Sequence, residues 1–235
     1  MDSSARTLPS GGSVLAALVL ALGLAACAAA PPPAPPRALS PGEQCLADLG
    51  AHGVRYELAA VPTSTGPCAV VNPVKVASAG VAWNQPAVMS CALADRVDRF
   101  FTEAVEPLAR RHLGTGIARM DNFGAYSCRR EVGQAGRWSE HAAGRAIDVS
   151  GFVTADGSRV TVEQDWNRPG PKREFLHAVA SRACDYFNVV LSPDSDRYHY
   201  NHLHLDIGPW RLCQTRAKTP AARSVSSTID SGASP

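Results

Sequence analysis

The sequence predicts an α+β fold, an antiparallel sheet flanked by helices. Two long stretches, 86–113 and 171–187, repeat apolar residues at three- and four-residue steps, the period of a helix with one buried face. Shorter stretches, among them 146–152 and 203–207, alternate apolar and polar residues as half-buried strands do. Ala155-Asp156-Gly157-Ser158 stands between two such stretches as a hairpin turn signal. Strands joined by hairpins, with helices set around them, make one α+β domain. The 235 residues are 45% hydrophobic and 19% charged, enough to build a core. A net charge of +2 without a basic block argues against nucleic acid as a partner.

In chain order, residues 14–26 come first, an apolar run behind Arg6. It is short for a bilayer-spanning helix and has the character of an export signal. It closes on Leu24-Ala25-Ala26-Cys27, which resembles a bacterial lipobox, where the cysteine is lipidated and becomes the first mature residue. The plainer alternative is an ordinary signal peptide, with Cys27 incidental. On the lipobox reading residues 1–26 are a lipoprotein signal peptide, and acyl chains on Cys27 anchor the chain to a membrane. Ala28, not an aspartate, points to the outer membrane, with the domain on its periplasmic face. Residues 27–41 are an Ala/Pro-rich tether whose composition builds no core and extends as a spacer. Residues 215–235, rich in Ala, Ser and Thr, read as a disordered tail. The folded domain is then 42–214, expected as a monomer.

Within the domain, Gln44–Leu49 suits a short helix, and Val54–Leu58 and Val70–Val76 read as extended. Pro62, Gly66 and Pro67 supply turns between them. This opening part reads as a small disulfide-tied appendage without chemistry. The helix of 86–113 starts near Pro86, where a missing N–H costs little, and Pro107 is placed to kink it. Ile117–Met120 and Phe123–Cys128 read as extended, and Gly133 and Gly136 mark a loop. Ala146–Phe152 is a strand, Arg159–Val162 its hairpin return, and Asn188–Leu191 and Leu203–Ile207 complete the strands.

Beyond Cys27, six cysteines remain, all inside the domain: Cys45, Cys68, Cys91, Cys128, Cys184 and Cys213. An even number in an exported chain points to disulfides, with fifteen possible connectivities. The expectation is sequential pairing: Cys45–Cys68, Cys91–Cys128 and Cys184–Cys213. Metal ligation by cysteine is disfavoured, because no pair has Cys-x-x-Cys spacing.

The chemistry concentrates in Ser139-Glu140-His141-Ala142-Ala143-Gly144-Arg145-Ala146-Ile147-Asp148 and His199-Tyr200-Asn201-His202-Leu203-His204-Leu205-Asp206. Together they offer a histidine, a carboxylate and a histidine cluster. That is the ligand chemistry of a catalytic zinc, which takes three protein ligands and keeps its fourth position open. Side chains alternate along a strand, so Asp148 and Ser150 share a face opposite Ile147 and Val149. His202, His204 and Asp206 likewise share a face opposite Leu203, Leu205 and Ile207. His141 lies on the approach loop, with Gly144 letting the chain bend. His141, Asp148 and one later histidine can then close on one ion. Taken singly, each piece has a plainer explanation: a polar sheet face for His-Leu-His, a turn cap for Asp148.

Ser139, His141, Gly144, Ala146 and Asp148 match the Ser-x-His-x-x-Gly-x-Ala-x-Asp motif of zinc D-alanyl-D-alanine peptidases. Their superfamily also includes lysostaphin-type endopeptidases and the hedgehog signalling domain. The wider pattern runs from Tyr126-Ser127-Cys128-Arg129 through Ser139-Glu140-His141 to His202-Leu203-His204-Leu205-Asp206. It resembles the bacterial extensin-like C-terminal domain family over most of 45–213. The resemblance implies a hedgehog/D-Ala-D-Ala-peptidase-like fold and Zn2+ held by His141, Asp148 and His204. It gives His202 the catalytic role and places Arg129 and Ser139 at the substrate, although Ser127-Cys128 separate Arg129 from Tyr126. His199 and Asp206 are candidates to orient a histidine from behind. Trp138 and Tyr200 are candidates for the cleft wall. The carboxypeptidase branch has Glu-x-x-His with the glutamate as general base; here Asn201 holds that place and takes no proton.

Two functions follow. One is a zinc-dependent hydrolase that cleaves peptide cross-links or stem peptides of peptidoglycan at the cell envelope. Zinc lowers the pKa of bound water towards about 7 and polarises the scissile carbonyl, and His202 handles the proton. The other is a non-catalytic peptidoglycan-binding lipoprotein on the same fold. Asn201 favours the second, and the complete ligand set with His202 favours the first.

Overall fold

Ser40 starts the first element of the fold. Its Oγ accepts the Glu43 N–H at 3.3 Å while the Glu43 carboxylate accepts the Ser40 N–H at 2.8 Å, a reciprocal capping box. Pro41, the end of the proline-rich stretch, sits where a helix loses nothing by a missing N–H, and α1 runs Pro41–Ala51. The computed structural model describes residues 37–63, 65–132 and 136–215. The expected export signal, Cys27, most of the expected tether and the expected tail from residue 216 lie outside the described residues.

After α1 come β1 (Arg55–Leu58), β2 (Pro73–Ala79), β3 (Val81–Ser90), α2 (Cys91–Phe100), α3 (Glu106–Leu113) and β4 (Ile117–Gly124). Then follow β5 (Ala146–Thr154), β6 (Arg159–Thr161), α4 (Val162–Asp165), α5 (Pro171–Ala183), β7 (Val189–Leu191), β8 (Leu203–Asp206) and β9 (Leu212–Gln214). Among the described residues the strands form one nine-stranded sheet in the order β1-β2-β3-β4-β5-β8-β7-β9, with β6 paired to β5. The β3–β4 and β7–β9 pairs are parallel and the others antiparallel. The class is α+β. No helix of the described residues is long and apolar enough to cross a membrane.

The stretch 86–113 is not one helix. Residues up to Ser90 belong to β3, where Ala87 and Met89 are buried and Val88 between them is half-buried, a strand alternation. Pro86 fits because the β2–β3 register shifts between Val76 and Ser78, beside the point where a ladder N–H would be needed. Ser90 then ends the strand and caps α2, its Oγ accepting the Leu93 N–H. Pro107 produces a local change of winding. Phe101–Val105 form a π-helical turn, in which the Glu106 N–H reaches back to the Phe101 carbonyl.

The opening segment is not an appendage. β1 and β2 continue the sheet, and Leu49, Val54, Val74 and Val76 share a core with Met89, Leu93, Ile147 and Leu205. Two expected disulfides are also corrected, since Cys45 pairs with Cys91 and Cys68 with Cys128 instead of Cys45–Cys68 and Cys91–Cys128. The reason is packing. α1 lies against α2, bringing the Cys45 and Cys91 Cα atoms to 6.3 Å, and the short turn Gly66–Cys68 lies against the segment after β4, at 5.3 Å. Cys184–Cys213 ties the end of α5 to β9.

β5 and β8 carry the functional part of the sheet. Their apolar side chains, Ile147, Val149, Leu203 and Leu205, are buried in the core, and Phe152 meets Phe175 of α5 edge-on at 5.3 Å. Alternation sends Asp148 and His204 to the opposite face.

Candidate metal centre

β5 and β8 pair with Asp148 directly opposite His204. Side chains facing each other in an antiparallel pair are close enough to bond, and here Asp148 Oδ1 lies 3.1 Å from His204 Nδ1. His141 enters from a 3-10 turn, Glu140–Ala143, whose His141 N–H is capped by the Ser139 Oγ at 3.3 Å. Gly144 ends that turn in the left-handed region at φ 62°. A Cβ there would lie 2.8 Å from Val70 Cγ1 and 3.1 Å from the Ser90 nitrogen, so both backbone and space require glycine. The bend sets His141 Nε2 at 3.1 Å from Asp148 Oδ1 and 3.2 Å from His204 Nδ1. The three ligand atoms lie within 4.8 Å of one another.

The outer nitrogens are held from behind. His141 donates its Nδ1–H to the Ala125 carbonyl, and His204 donates its Nε2–H to Asp206 Oδ2 at 3.1 Å. Asp206 is fixed in turn by the Gly208 N–H at 2.8 Å. Each ring is thereby turned so that its inward nitrogen can give a lone pair to a cation, the arrangement by which proteins orient metal-binding histidines. His141 is 3% exposed and His204 9%, so water does not compete freely for them. Two imidazoles and a carboxylate converging on one point can hold a metal ion.

Electrostatics reinforce the cluster. Burial pushes the Asp148 carboxyl up, but hydrogen bonds from His141 and His204 outweigh it and hold the group well below the usual carboxylate range. Burial pulls His204 down, yet its bonds to Asp148 and Asp206 raise it to about 9. His202 goes the other way: burial lowers it to about 4, against the attraction of Asp148. It is therefore neutral at pH 7.

A cleft of about 430 Å³ opens over the cluster, lined by His141, His199, His202, His204, Tyr198 and Trp210 among others. Residues 43–214 match the family described as extensin-like protein C-terminus. The chain belongs to that family. Comparison with the curated proteins and with the solved structures returned no match. The matched span of this extensin-like domain runs from α1 to β9 and contains the whole cluster.

Other residues singled out by the sequence fall in different places within the extensin-like domain. His202 precedes β8, with Nε2 3.5 Å from Asp148 Oδ1, and donates its Nδ1–H to Asn201 Oδ1 at 2.8 Å. Asn201 thus fixes a tautomer whose free Nε2 faces the cluster. His199 makes no hydrogen bond to His141, Asp148 or His204 among the described residues; its Nδ1–H donates to Asp196 Oδ1 at 2.8 Å and it stands in the cleft wall, its ring 5.1 Å from that of His202. Ser139 lines the cleft, but its Oγ is spent on capping. Arg129 lines the cleft and is exposed, while its carbonyl accepts the Ser139 N–H at 3.2 Å. Trp138 and Tyr200 are exposed without lining the cleft; Tyr198 and Trp210 take that place. Trp210 follows Gly208-Pro209 in a turn that shows no periodicity, so no sequence signal marked it.

Proposed function

We propose that this extensin-like domain is a zinc-dependent hydrolase that cleaves peptide cross-links or stem peptides of peptidoglycan. The observation carrying the proposal is the convergence of His141 Nε2, Asp148 Oδ1 and His204 Nδ1 with both outer ring nitrogens anchored. An N2O donor set of this kind suits zinc with a position left for substrate or water. The same residues, on an antiparallel pair behind a short turn, support a relation to the zinc D-Ala-D-Ala peptidase, lysostaphin and hedgehog superfamily and its fold.

Zinc, when bound, supplies a Lewis acid that polarises a carbonyl and eases the ionisation of water. The protein does the remainder. His202, neutral and with Nε2 facing the cluster, takes the proton of the attacking water and passes it to the leaving amine. Asn201 keeps it in the tautomer that can do so. Ala125 and Asp206 hold the two ligand histidines in place. The lipobox-like Cys27 and the tether support a place at the periplasmic face of the outer membrane, beside the cell wall.

A second reading is a non-catalytic peptidoglycan-binding lipoprotein, favoured by Asn201 where the carboxypeptidases have glutamate. The test separates the two. Purified muropeptides are incubated with the full-length chain, with zinc or with a chelator, and the products are weighed by mass spectrometry. Chelator-sensitive cleavage supports the hydrolase, and the product masses name the bond. Intact muropeptides after incubation with zinc-loaded protein support the binding module.

A further inference from the structure

A charge inventory of the cleft wall is unequal. Each carboxylate in it already has a partner. Glu131 pairs with Arg137 at 3.4 Å and Glu140 with Arg145 at 2.7 Å. Asp196 Oδ1 accepts the Tyr198 backbone N–H at 2.7 Å and the His199 ring Nδ1–H at 2.8 Å, and Asp206 is held by Gly208 and His204. Three arginines line the same wall: Arg129, Arg137 and Arg211. Arg137 is engaged by Glu131 and lies 5.5 Å over the Trp210 ring. Arg129 reaches only the Arg130 carbonyl, at 3.5 Å, and Arg211 has no ion pair among the described residues. Among the described residues, the Arg129 and Arg211 guanidinium groups have no carboxylate partner.

They come from separate parts of the chain, and each segment is fixed. Arg129 follows Cys128, which is bonded to Cys68, and its backbone is tied to Ser139. Arg211 lies in the turn between β8 and β9. There Trp210 is covered by Arg137, the Leu212 N–H bonds the Asn188 carbonyl at 2.9 Å, and Cys213 is bonded to Cys184. A guanidinium is a planar fork matched to a carboxylate, and a concave wall concentrates its field.

We propose that the cleft selects its peptide by a free carboxylate, which Arg211 receives. The inference rests on the peptidoglycan reading for the choice of probe, and it names the substrate class as anionic peptides. No motif in the sequence marks Arg211 for this role.

The test measures binding apart from cleavage. The probes are the tetrapeptide L-alanyl-γ-D-glutamyl-meso-diaminopimelyl-D-alanine and the same peptide with its carboxylates amidated. Both are titrated calorimetrically into zinc-loaded, full-length His202→Ala protein, in which the peptide survives. The free peptide is expected to bind about tenfold tighter than the amidated one. Adding Arg211→Gln should weaken the free peptide by a similar factor and leave the amidated one unchanged, while Arg211→Lys keeps part of the preference. Equal affinity for the two peptides overturns the proposal, as does an unchanged Kd in Arg211→Gln, or no binding of either peptide at millimolar concentration. Failure of the hydrolase reading looks different: wild-type protein cleaves nothing, yet the carboxylate preference remains and supports the anionic cleft.

Discussion

Asp148 and His204 are register partners across β5 and β8, and one oxygen, Asp148 Oδ1, lies 3.1 Å from both His204 Nδ1 and His141 Nε2. A single carboxylate oxygen is therefore the centre of the cluster. The register that sets it is enforced from the other face of the sheet, because a one-residue slip of β5 would turn Asp148 into the core and expose Ile147 and Val149, and a slip of β8 would do the same to His204, Leu203 and Leu205.

Removing a ligand should remove the metal. Full-length protein dialysed against buffer is expected to retain zinc by elemental analysis, and His141→Ala or Asp148→Ala to lose it. Asp206→Asn leaves the ligands but loosens His204. It should lower zinc affinity by about 10–100-fold. Wild-type metal content in His141→Ala would contradict the ligand set.

His202 should separate binding from turnover. It bonds Asn201, packs its ring near His199 and Phe123 and only borders the cluster, so His202→Ala is expected to keep its zinc. Muropeptide cleavage should fall by about 10²–10⁴-fold. Full cleavage activity in that variant would move the proton to another group.

The metal-free protein should be most stable near pH 6.5. Asp148, held below the usual carboxylate range, stabilises the fold above an unfolded pKa of about 4, and this is lost as pH falls. His202, lowered to about 4, leaves the unfolded chain binding the extra proton between there and about 6.5, so stability climbs with pH across that window. His204, raised to about 9, contributes fully below about 6.5 and loses its contribution as pH rises through about 9. Thermal unfolding of chelator-treated protein should trace this dome. On the proposed zinc reading the metal would take the place of the His204 proton, and adding it should flatten the alkaline side. A metal-free Tm still rising at pH 9 would be inconsistent with the His204 environment.

Gly144→Ala should damage fold and site together. The added methyl meets Val70 and the Ser90 backbone, and the residue keeps φ 62°. A loss of about 1–3 kcal/mol is expected in denaturant unfolding, together with weaker zinc binding. Gly50→Ala, in α1 with nothing within 4 Å of the new Cβ, is the control, expected to be neutral or stabilising by up to about 1 kcal/mol.

Much of the cluster is legible in the sequence. The alternation around Asp148 and His204 assigns faces, since a strand has only two, and Gly144 marks the bend. The stretch 86–90 was misread because Val88 fits helical and strand periods alike; the Ser90 cap, not the apolar pattern, marks where α2 begins. β9 and the short β6 hold three residues each, too few to show a period.

Local sequence by itself determined which side chains are polar, which face they take and where helices are capped, because these depend on neighbours within a few residues. Only the tertiary structure decided what meets what. Cys45 bonds Cys91 because α1 packs on α2, and Trp210 and Arg211 reach the cleft because β9 returns beside β7. His141 faces His204 across 63 positions of chain because β8 joins β5. Such contacts depend on which strands pair and in what register, and that is settled by burying one shared core, to which every segment of the domain contributes.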